Sequence, residues 1–501
     1  MTEDPQGRVQ VALWLLCASL ILFPSLGMGS IFSSDDALYA QMAREMVSSG
    51  AWLEPTWLGA PIFDKPPLLF WMLGLFGWLL GFGELALRLP GALGALVCVY
   101  YLTTLTRMTA ENEEARTSPV RGWVALALTL ASVTFVMNVR RPMADPLLVA
   151  ALLAHITYGL RAVEEEPGAA MKAGIALGFG LLAKWVAVGP VALVVGLGWI
   201  LRRRFSALGI SSVVALVIAG PWHLWMTLRH GADFWNTYLG YHVIGRASSA
   251  LVGEDDPLYY LRVLVEQDGL IAAILALGVF MACLRLLVRP RPLDFGPLAL
   301  AWIVASIIVT LITLHLASTR LFHYLLPVVP LAAIVTAASV DRLPQPSLAY
   351  KVLGALAVLG FLVGPLYPHL LDPDYGARST RLVERHLNTM PEDARLILWE
   401  DYDPATIWYA EKSAAFYSAD ERFYSAQMSV DMMRRSGAVV WADERAREAL
   451  IAAEDPIYFV APLERSDLLV RWSEHASVKR RVRFVRDPEI GRMVAIWGPQ
   501  R

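Results

Sequence analysis

Charge is scarce in this sequence. Only 18% of its 501 residues are Asp, Glu, Lys or Arg, against about 25% in a soluble domain. Cysteine is scarcer still: Cys17, Cys98 and Cys283 each lie in an apolar run. They supply neither a disulfide framework nor a cysteine-based zinc site. The charge that is present nearly cancels, to a net −2, so composition writes in no basic surface for nucleic acid. Internal repeats and low-complexity tracts are missing as well. What fills the chain is apolar: 56% hydrophobic residues, with 17 Trp, 18 Phe and 17 Tyr. A soluble protein with a mean hydropathy of +0.48 would expose large apolar patches. These figures exclude a soluble cytosolic enzyme and a small secreted scaffold. They fit a polytopic α-helical membrane protein.

A spanning helix needs about 20 mostly apolar residues. Candidate runs are 11–28, 89–106, 122–139, 147–163, 206–222, 259–284, 297–314, 322–340 and 352–368. The longer run 173–201 is interrupted by Lys184 and Pro190 and reads as two short helices meeting near Lys184. The expectation is about 11 spans. The first run is followed by many others and lacks a small-x-small cleavage site, so it reads as an uncleaved helix. Segment 66–83 opens with Pro66-Pro67 and is borderline in length, so it reads as juxtamembrane.

Loop charge sets the orientation. With the N-terminus in the cytoplasm, the inner segments carry Arg107, Arg116, Arg121, Arg202–Arg204, Arg285, Arg289 and Arg291 among about 14 basic residues. The outer loops are about twice as long in total and carry fewer, as the positive-inside rule requires. The first external loop, 29–65, is long. Within it, 34–49 reads as an amphipathic helix lying in the interface, with Leu38, Met42 and Met46 on one face and Gln41, Arg44 and Glu45 on another. The chain divides into a transmembrane domain, 1–370, and a soluble extracytoplasmic α/β domain, 371–501. Strand-like runs in the latter are Arg395–Trp399, Ala438–Trp441, Ile457–Val460, Val478–Val485 and Met493–Trp497, with helices at Arg445–Ala453 and Glu464–Trp472. Asp401 and Asp403 read as surface residues.

Ionisable groups at membrane depth are costly and mark function by default. Here they gather at the outer face: Asp35, Asp36, Asp64, Lys65, Arg140, Arg141, Asp145, Lys184, His242, Arg246, Arg320, His323 and Tyr324. Asp35 and Asp36 stand at a helix start, where they either cap it or serve as a general base or cation site. Asp145 precedes Pro146 and carries the same two readings, N-cap or site. Pro66-Pro67 pin Lys65 at the mouth of a helix, suited to an anionic headgroup or to snorkelling toward lipid phosphate. Lys184, in mid-run, needs a partner or a water-filled cavity. Arg246 lies one turn after His242, so a helix there would point both at one site.

Taken in order, Asp35-Asp36-x-x-Tyr39, Ala43-Arg44-Glu45-Met46, Gly50-x-Trp52 and Asp64-Lys65-Pro66-Pro67-Leu68-x-Phe70-Trp71 resemble the first external loop of the protein O-mannosyltransferase and aminoarabinose (lipid A) transferase superfamily. Arg88-Leu89-Pro90, Asp145, Ala183-Lys184, Gly220-Pro221-Trp222 and Tyr324-Leu325-Leu326-Pro327 continue the match over residues 10–340. The sequence departs from that pattern at Asp36, where the family usually has Glu, at Asp64, often Glu, and at Trp185, often Gly.

The resemblance implies a GT-C fold in the inner, cytoplasmic membrane and inverting transfer of a sugar from a polyprenyl-phosphate donor. The acceptor it implies is a lipid, a protein or another envelope glycan outside the membrane. Asp35 would be the general base, its pKa lowered by the helix N-terminus. Asp36 belongs to the same acidic pair, and Asp145 would orient acceptor or base. Lys65, Arg246, Tyr324 and Lys184 would hold the donor phosphate. Asp64 and His242 would share a divalent cation, zinc, manganese or magnesium. Membrane lipid is the other partner; nucleic acid is not expected. The competing class is a transporter or flippase of a lipid-linked or small solute, which paired repeats would favour. The orientation has a direct check. Arg203→Cys should react with a membrane-impermeant thiol reagent only from the cytoplasmic side, and labelling from outside would invert the topology.

Overall fold

The computed structural model describes residues 5–31, 35–248, 256, 258–288, 294–340, 351–352, 354–355, 377–400, 403–412, 414–418, 439–441, 448–450, 452–453, 455–476 and 480–499. Helices dominate the first part of the chain. They are α1 (Pro5–Leu22), α2 (Asp35–Ser49), α3 (Leu68–Leu80), α4 (Glu84–Met108), the short α5 (Glu113–Thr117), α6 (Pro119–Ala131), α7 (Val133–Val139) and α8 (Asp145–Val163). Then come α9 (Ala169–Lys184), α10 (Gly189–Leu201), α11 (Phe205–Trp235), the single turn α12 (Arg246–Ser248), α13 (Tyr259–Leu287), α14 (Phe295–Leu316) and α15 (Val328–Val340). Among the described residues 7 helices are long and apolar enough to cross a membrane, or up to 8 if a bent pair counts as one span. This is a multi-pass membrane protein. The expected run 352–368 and the boundary near 370 lie largely or wholly outside the described residues.

Two expectations about the helices change. The run 122–139 is not straight: α6 and α7 meet at 74°. Ser132 caps α7 through Phe135 N. The bend is held by buried Asp268 of α13, which accepts from Ser132 Oγ at 2.9 Å and from Thr134 N at 3.1 Å. A carboxylate in a span thus satisfies the backbone that the bend sets free. The run 173–201 breaks as expected. A short 3-10 turn, Trp185–Val188, separates α9 from α10. Arg204 beyond α10 pairs with Glu165 ahead of α9, so the two halves run antiparallel and reverse at Lys184. Helix α3 has 13 residues, or roughly 20 Å of length, short of the ~30 Å hydrocarbon core.

Helix α2 departs furthest from its reading. Its apolar face packs as expected, with Leu38, Met42 and Met46 fully buried. Part of its polar face is covered by the C-terminal part of the chain. Arg44 lies 3.5 Å from the Trp408 ring centroid, donates to the Trp408 carbonyl at 2.9 Å and pairs with Glu411 at 3.1 Å. Glu45 accepts from Leu58 N at 2.8 Å and from Thr56 Oγ1 at 3.1 Å. It thereby holds the small hairpin of β1 (Thr56–Trp57) and β2 (Ala60–Pro61).

That C-terminal part contains a six-stranded sheet: β3 (Arg395–Trp399), β4 (Ala414–Ser418), β5 (Val439–Trp441), β6 (Ile457–Pro462), β7 (Arg480–Asp487) and β8 (Arg492–Pro499), in the order β5-β4-β3-β6-β8-β7. The first four are parallel, and β8 and β7 add antiparallel. Helices α16 (Ala377–Leu382), α17 (Pro404–Ala410) and α18 (Ser466–Ala476) accompany it. The sequence reading missed β4, whose two alanines weaken the strand signal. Most of the expected helix 445–453 lies outside the described residues, as does Asp401. Asp403 is buried, not exposed: it caps α17, accepting from Thr406 Oγ1 at 2.6 Å.

Close approach at the end of α7 depends on Gly91 in α4. A Cβ there would stand 2.5 Å from the Val139 carbonyl oxygen and 2.9 Å from that of Arg141. Both are backbone atoms and cannot step aside. Gly91→Val should therefore push α4 off the end of α7 and destabilise the protein by about 1–3 kcal/mol or more. Thermal unfolding in detergent measures it, and an unchanged midpoint would contradict the packing.

Candidate active site

Asp64 is where the polar segments meet. Its Oδ1 accepts from Lys65 Nζ at 2.7 Å, lies 2.8 Å from His242 Nδ1 and stands 3.9 Å from Arg246 Nη2. Its Oδ2 accepts from the Tyr39 hydroxyl at 2.8 Å. The Asp64 side chain is 5% exposed. Burial pushes its pKa up, but Lys65, His242 and Arg246 together outweigh that and hold the group well below the ordinary carboxylate value. Asp64 is therefore an anion that gathers cations. Burial, followed by the charges of Asp35 and Asp64, raises the Tyr39 hydroxyl well above its usual pKa, so it stays a donor.

Local sequence explains the convergence. Pro67 fixes the backbone at the start of α3, and Trp71 N bonds back to its carbonyl at 2.9 Å. Lys65 is thereby set at the helix mouth. His242 and Arg246 fall one turn apart across the end of a π-helical stretch, Asn236–Gly245, and both turn toward Asp64.

Asp35, half-buried at the start of α2, is near enough to this group to be affected by it. Its pKa is raised, by burial first and then by the Asp64 charge, while Lys65 and Arg246 oppose the rise. A lowered value was expected from its place at a helix N-terminus; desolvation outweighs that effect. Asp36 faces another way. Arg141 grips it through Nη2 to Oδ1 at 2.7 Å and Nε to Oδ2 at 2.9 Å. The adjacent acids thus occupy different surroundings, one beside the Asp64 group and one in a forked ion pair.

Asp145 is buried and makes no side-chain cap on α8. It accepts instead from Lys184 Nζ at 2.7 Å. Lys184 also lies 4.5 Å from the Tyr324 ring centroid. A cavity of about 430 Å³ is lined at its polar end by Asp64, Lys65, Asp145, Lys184, His242, Arg246 and Tyr324. The rest of its wall is largely apolar, including Leu148, Val186, Pro190, Val243, Leu314 and Pro327. A recess of about 10 Å³ adjoins it, walled by Asp35, Tyr39 and His323 together with residues of the main cavity. Two arginines of the outer cluster serve the fold: Arg140 donates to the Ile21 and Pro24 carbonyls, and Arg320 to that of Asp256.

A shared cation on Asp64 and His242 would have one carboxylate and one imidazole. Among the described residues no group of three His, Cys, Asp or Glu side chains converges. Lys65 and Arg246 already occupy the Asp64 carboxylate. That donor set does not fit a resident divalent ion, and no step below runs through one.

Several site residues went unassigned in the sequence. Tyr39 follows Asp35 at i+4 on one helix, a spacing that could have flagged it. Arg141 as the partner of Asp36, and Tyr238 stacked on Trp185 with ring centroids 4.6 Å apart, are contacts over long sequence separation. No local signal announces them.

Comparison with known proteins bears on the fold and on what the chain is similar to. The dolichyl-phosphate-mannose-protein mannosyltransferase family matches residues 64–225. The undecaprenyl phosphate-α-4-amino-4-deoxy-L-arabinose arabinosyl transferase of Pectobacterium carotovorum is 28% identical over 391 residues, covering 72% of this chain and 66% of the relative. That of Aeromonas salmonicida is 27% identical over 404 residues, covering 75% and 70%. The chain thus spans about two thirds of the length of these relatives. In three dimensions, ArnT from Cupriavidus metallidurans bound to undecaprenyl phosphate superposes with a TM-score of 0.77 at 18% identity, covering 99% of this chain and 100% of that one. The Archaeoglobus fulgidus oligosaccharyltransferase gives 0.57 at 13% identity, with 96% and 73% covered. The fold is GT-C, and the chain is similar to the glycosyltransferase superfamily that holds the protein mannosyltransferases and the aminoarabinose transferases.

Proposed function

We propose that this protein transfers a sugar from a polyprenyl-phosphate carrier to an acceptor outside the cytoplasmic membrane, with inversion at the anomeric carbon. One observation carries the reading: cations gathered on an ionised carboxylate, Asp64, stand beside a carboxyl of raised pKa, Asp35, at the head of a largely apolar cavity. A lipid-linked sugar phosphate has matching parts, a greasy chain, an anionic group and a reactive carbon. Relatives named for undecaprenyl-phosphate aminoarabinose transfer, and a structural neighbour holding undecaprenyl phosphate, support the carrier.

In the reaction, Asp35 accepts the acceptor's hydroxyl proton as the oxygen attacks the anomeric carbon. The bond to the phosphate oxygen breaks with its electron pair, and negative charge grows on the lipid phosphate. Lys65, Arg246 and the Tyr324 hydroxyl stabilise that charge, with Lys184 beside them. Because Asp64 and Asp145 already fix Lys65 and Lys184, little reorganisation is needed at the moment of reaction. Asp36, held by Arg141, positions the first turn of α2 and hence Asp35. The acceptor class is lipid A, a protein or another envelope glycan. The inner membrane, a cytoplasmic N-terminus and an outer C-terminal domain complete the reading. The excess of Lys and Arg in the loops assigned to the cytoplasm supports that orientation.

Asp35→Asn should lower transfer at least roughly a hundredfold while binding of undecaprenyl phosphate survives; near-normal turnover would remove the general base. Asp35 must be ionised to act and its pKa is raised above 3.8. The rate should therefore fall on acidification through a midpoint above that value, and a profile flat to pH 3.8 would contradict the assignment. Lys65→Ala removes a charge-assisted contact and should raise the KM for the lipid donor roughly tenfold or more. Unchanged donor dependence would take Lys65 out of the phosphate site.

A further inference from the structure

The turn between α9 and α10 contains a residue that the proposed chemistry leaves unused. Trp185 follows Lys184 with φ 25° and ψ −102°. A bulky side chain seldom adopts a positive φ, and such a state persists only where its surroundings over-determine it, commonly at functional sites. Here the ring is fixed. It stacks on Tyr238 with centroids 4.6 Å apart and planes 17° apart, and Trp235 and His223 flank it at 5.9 Å each. Trp185 and Tyr238 both line the main cavity.

Their chain neighbours matter as much as their contacts. Lys184, which Asp145 holds, immediately precedes Trp185. His242, which contacts Asp64, follows Tyr238 by four residues. The stacked pair is therefore tied on one side to Lys184, assigned to the phosphate, and on the other to a contact of Asp64, the carboxylate that gathers Lys65 and Arg246. A sugar joined to that phosphate begins one bond beyond it. A pyranose presents a face of C–H bonds that packs on a flat aromatic ring, while its hydroxyls stay free for polar partners.

We propose that Trp185, braced by Tyr238, is a sugar platform that the donor's pyranose ring rests on, making it a specificity-determining residue. This rests on the glycosyltransferase reading. It adds that the protein distinguishes a sugar-bearing carrier from the bare one, which groups serving the phosphate alone would not do.

The test compares binding of three lipids to the full-length protein in detergent: undecaprenyl phosphate, and the same lipid carrying mannose or 4-amino-4-deoxy-L-arabinose. Wild type should bind at least one sugar-bearing lipid roughly tenfold more tightly than the bare one. Trp185→Gly, which suits the positive φ, should abolish that preference and leave bare-lipid affinity within about twofold. Trp185→Phe, which keeps an aromatic face, should retain most of it. Trp185→Leu keeps apolar bulk without a flat face and decides the matter should the glycine variant fail to fold. Preference surviving in the leucine variant, or bare-lipid affinity falling in step with sugar-lipid affinity, would overturn the platform. Wild type that binds all three lipids equally overturns the platform alone; wild type that binds none overturns the donor reading itself.

Discussion

Asp64 carries a negative charge in a place where a lone charge could not remain. Taking an ion out of water costs several kcal/mol even after relaxation, and Asp64 is buried at one end of a helical membrane bundle. It persists because Lys65, His242, Arg246 and Tyr39 all reach it. Those partners come from three stretches far apart in sequence: the amphipathic helix α2, the mouth of α3 and the π-helical turn after α11. Satisfying one carboxylate thereby fixes the relative placement of three elements. Removing it would leave two cationic side chains buried without their anion, a change that typically costs about 3–5 kcal/mol.

The same constraint recurs around it. Asp145 and Lys184 join α8 to the reversal between α9 and α10, and Asp36 and Arg141 join α2 to the end of α7. Asp268 ties α13 to the bend between α6 and α7. Each is a pair or a carboxylate fully met by donors, which is how polar groups survive at membrane depth. Asp35 differs. It has the burial without a dedicated cation, and its pKa rises accordingly. In a site where every other acid is spoken for, the one left with raised basicity is suited to take a proton.

This contrast shows where sequence reasoning reaches and where it stops. Scarcity of charge made the clustered ionisable residues visible, because a lysine such as Lys184 in an apolar run needs a reason to be there. The proline pair placed Lys65, and the i, i+4 spacing of His242 and Arg246 put both on one site. The apolar period found the buried face of α2. None of these signals reaches across the chain. That Asp35 and Asp36 part company depends on Arg141, over a hundred residues away. The 74° bend inside 122–139 depends on Asp268 in another helix, and hydropathy cannot register it because both limbs are equally apolar. The covering of α2 was hidden for the same reason: an amphipathic face reads alike whether it meets headgroups or protein.

That covering joins the two ends of the chain. Arg44, about two and a half turns along α2 from Asp35, stacks on Trp408 and pairs with Glu411. Tyr409 accepts from Ile31 N at 2.7 Å and donates to Glu84 at 3.0 Å. Helix α17 thus touches α2, the loop just ahead of it and the start of α4. The apolar residues follow the same route, since Leu38, Met42 and Leu69 share one buried cluster with Trp408, Phe416 and Val460. Asp35 is therefore set from two directions, through Asp36 and Arg141 on the membrane side and through the packed length of α2 on the other. A general base must be held within a few tenths of an ångström to act. The C-terminal sheet braces the element that carries the proposed base, although among the described residues it contributes no side chain to the cavity.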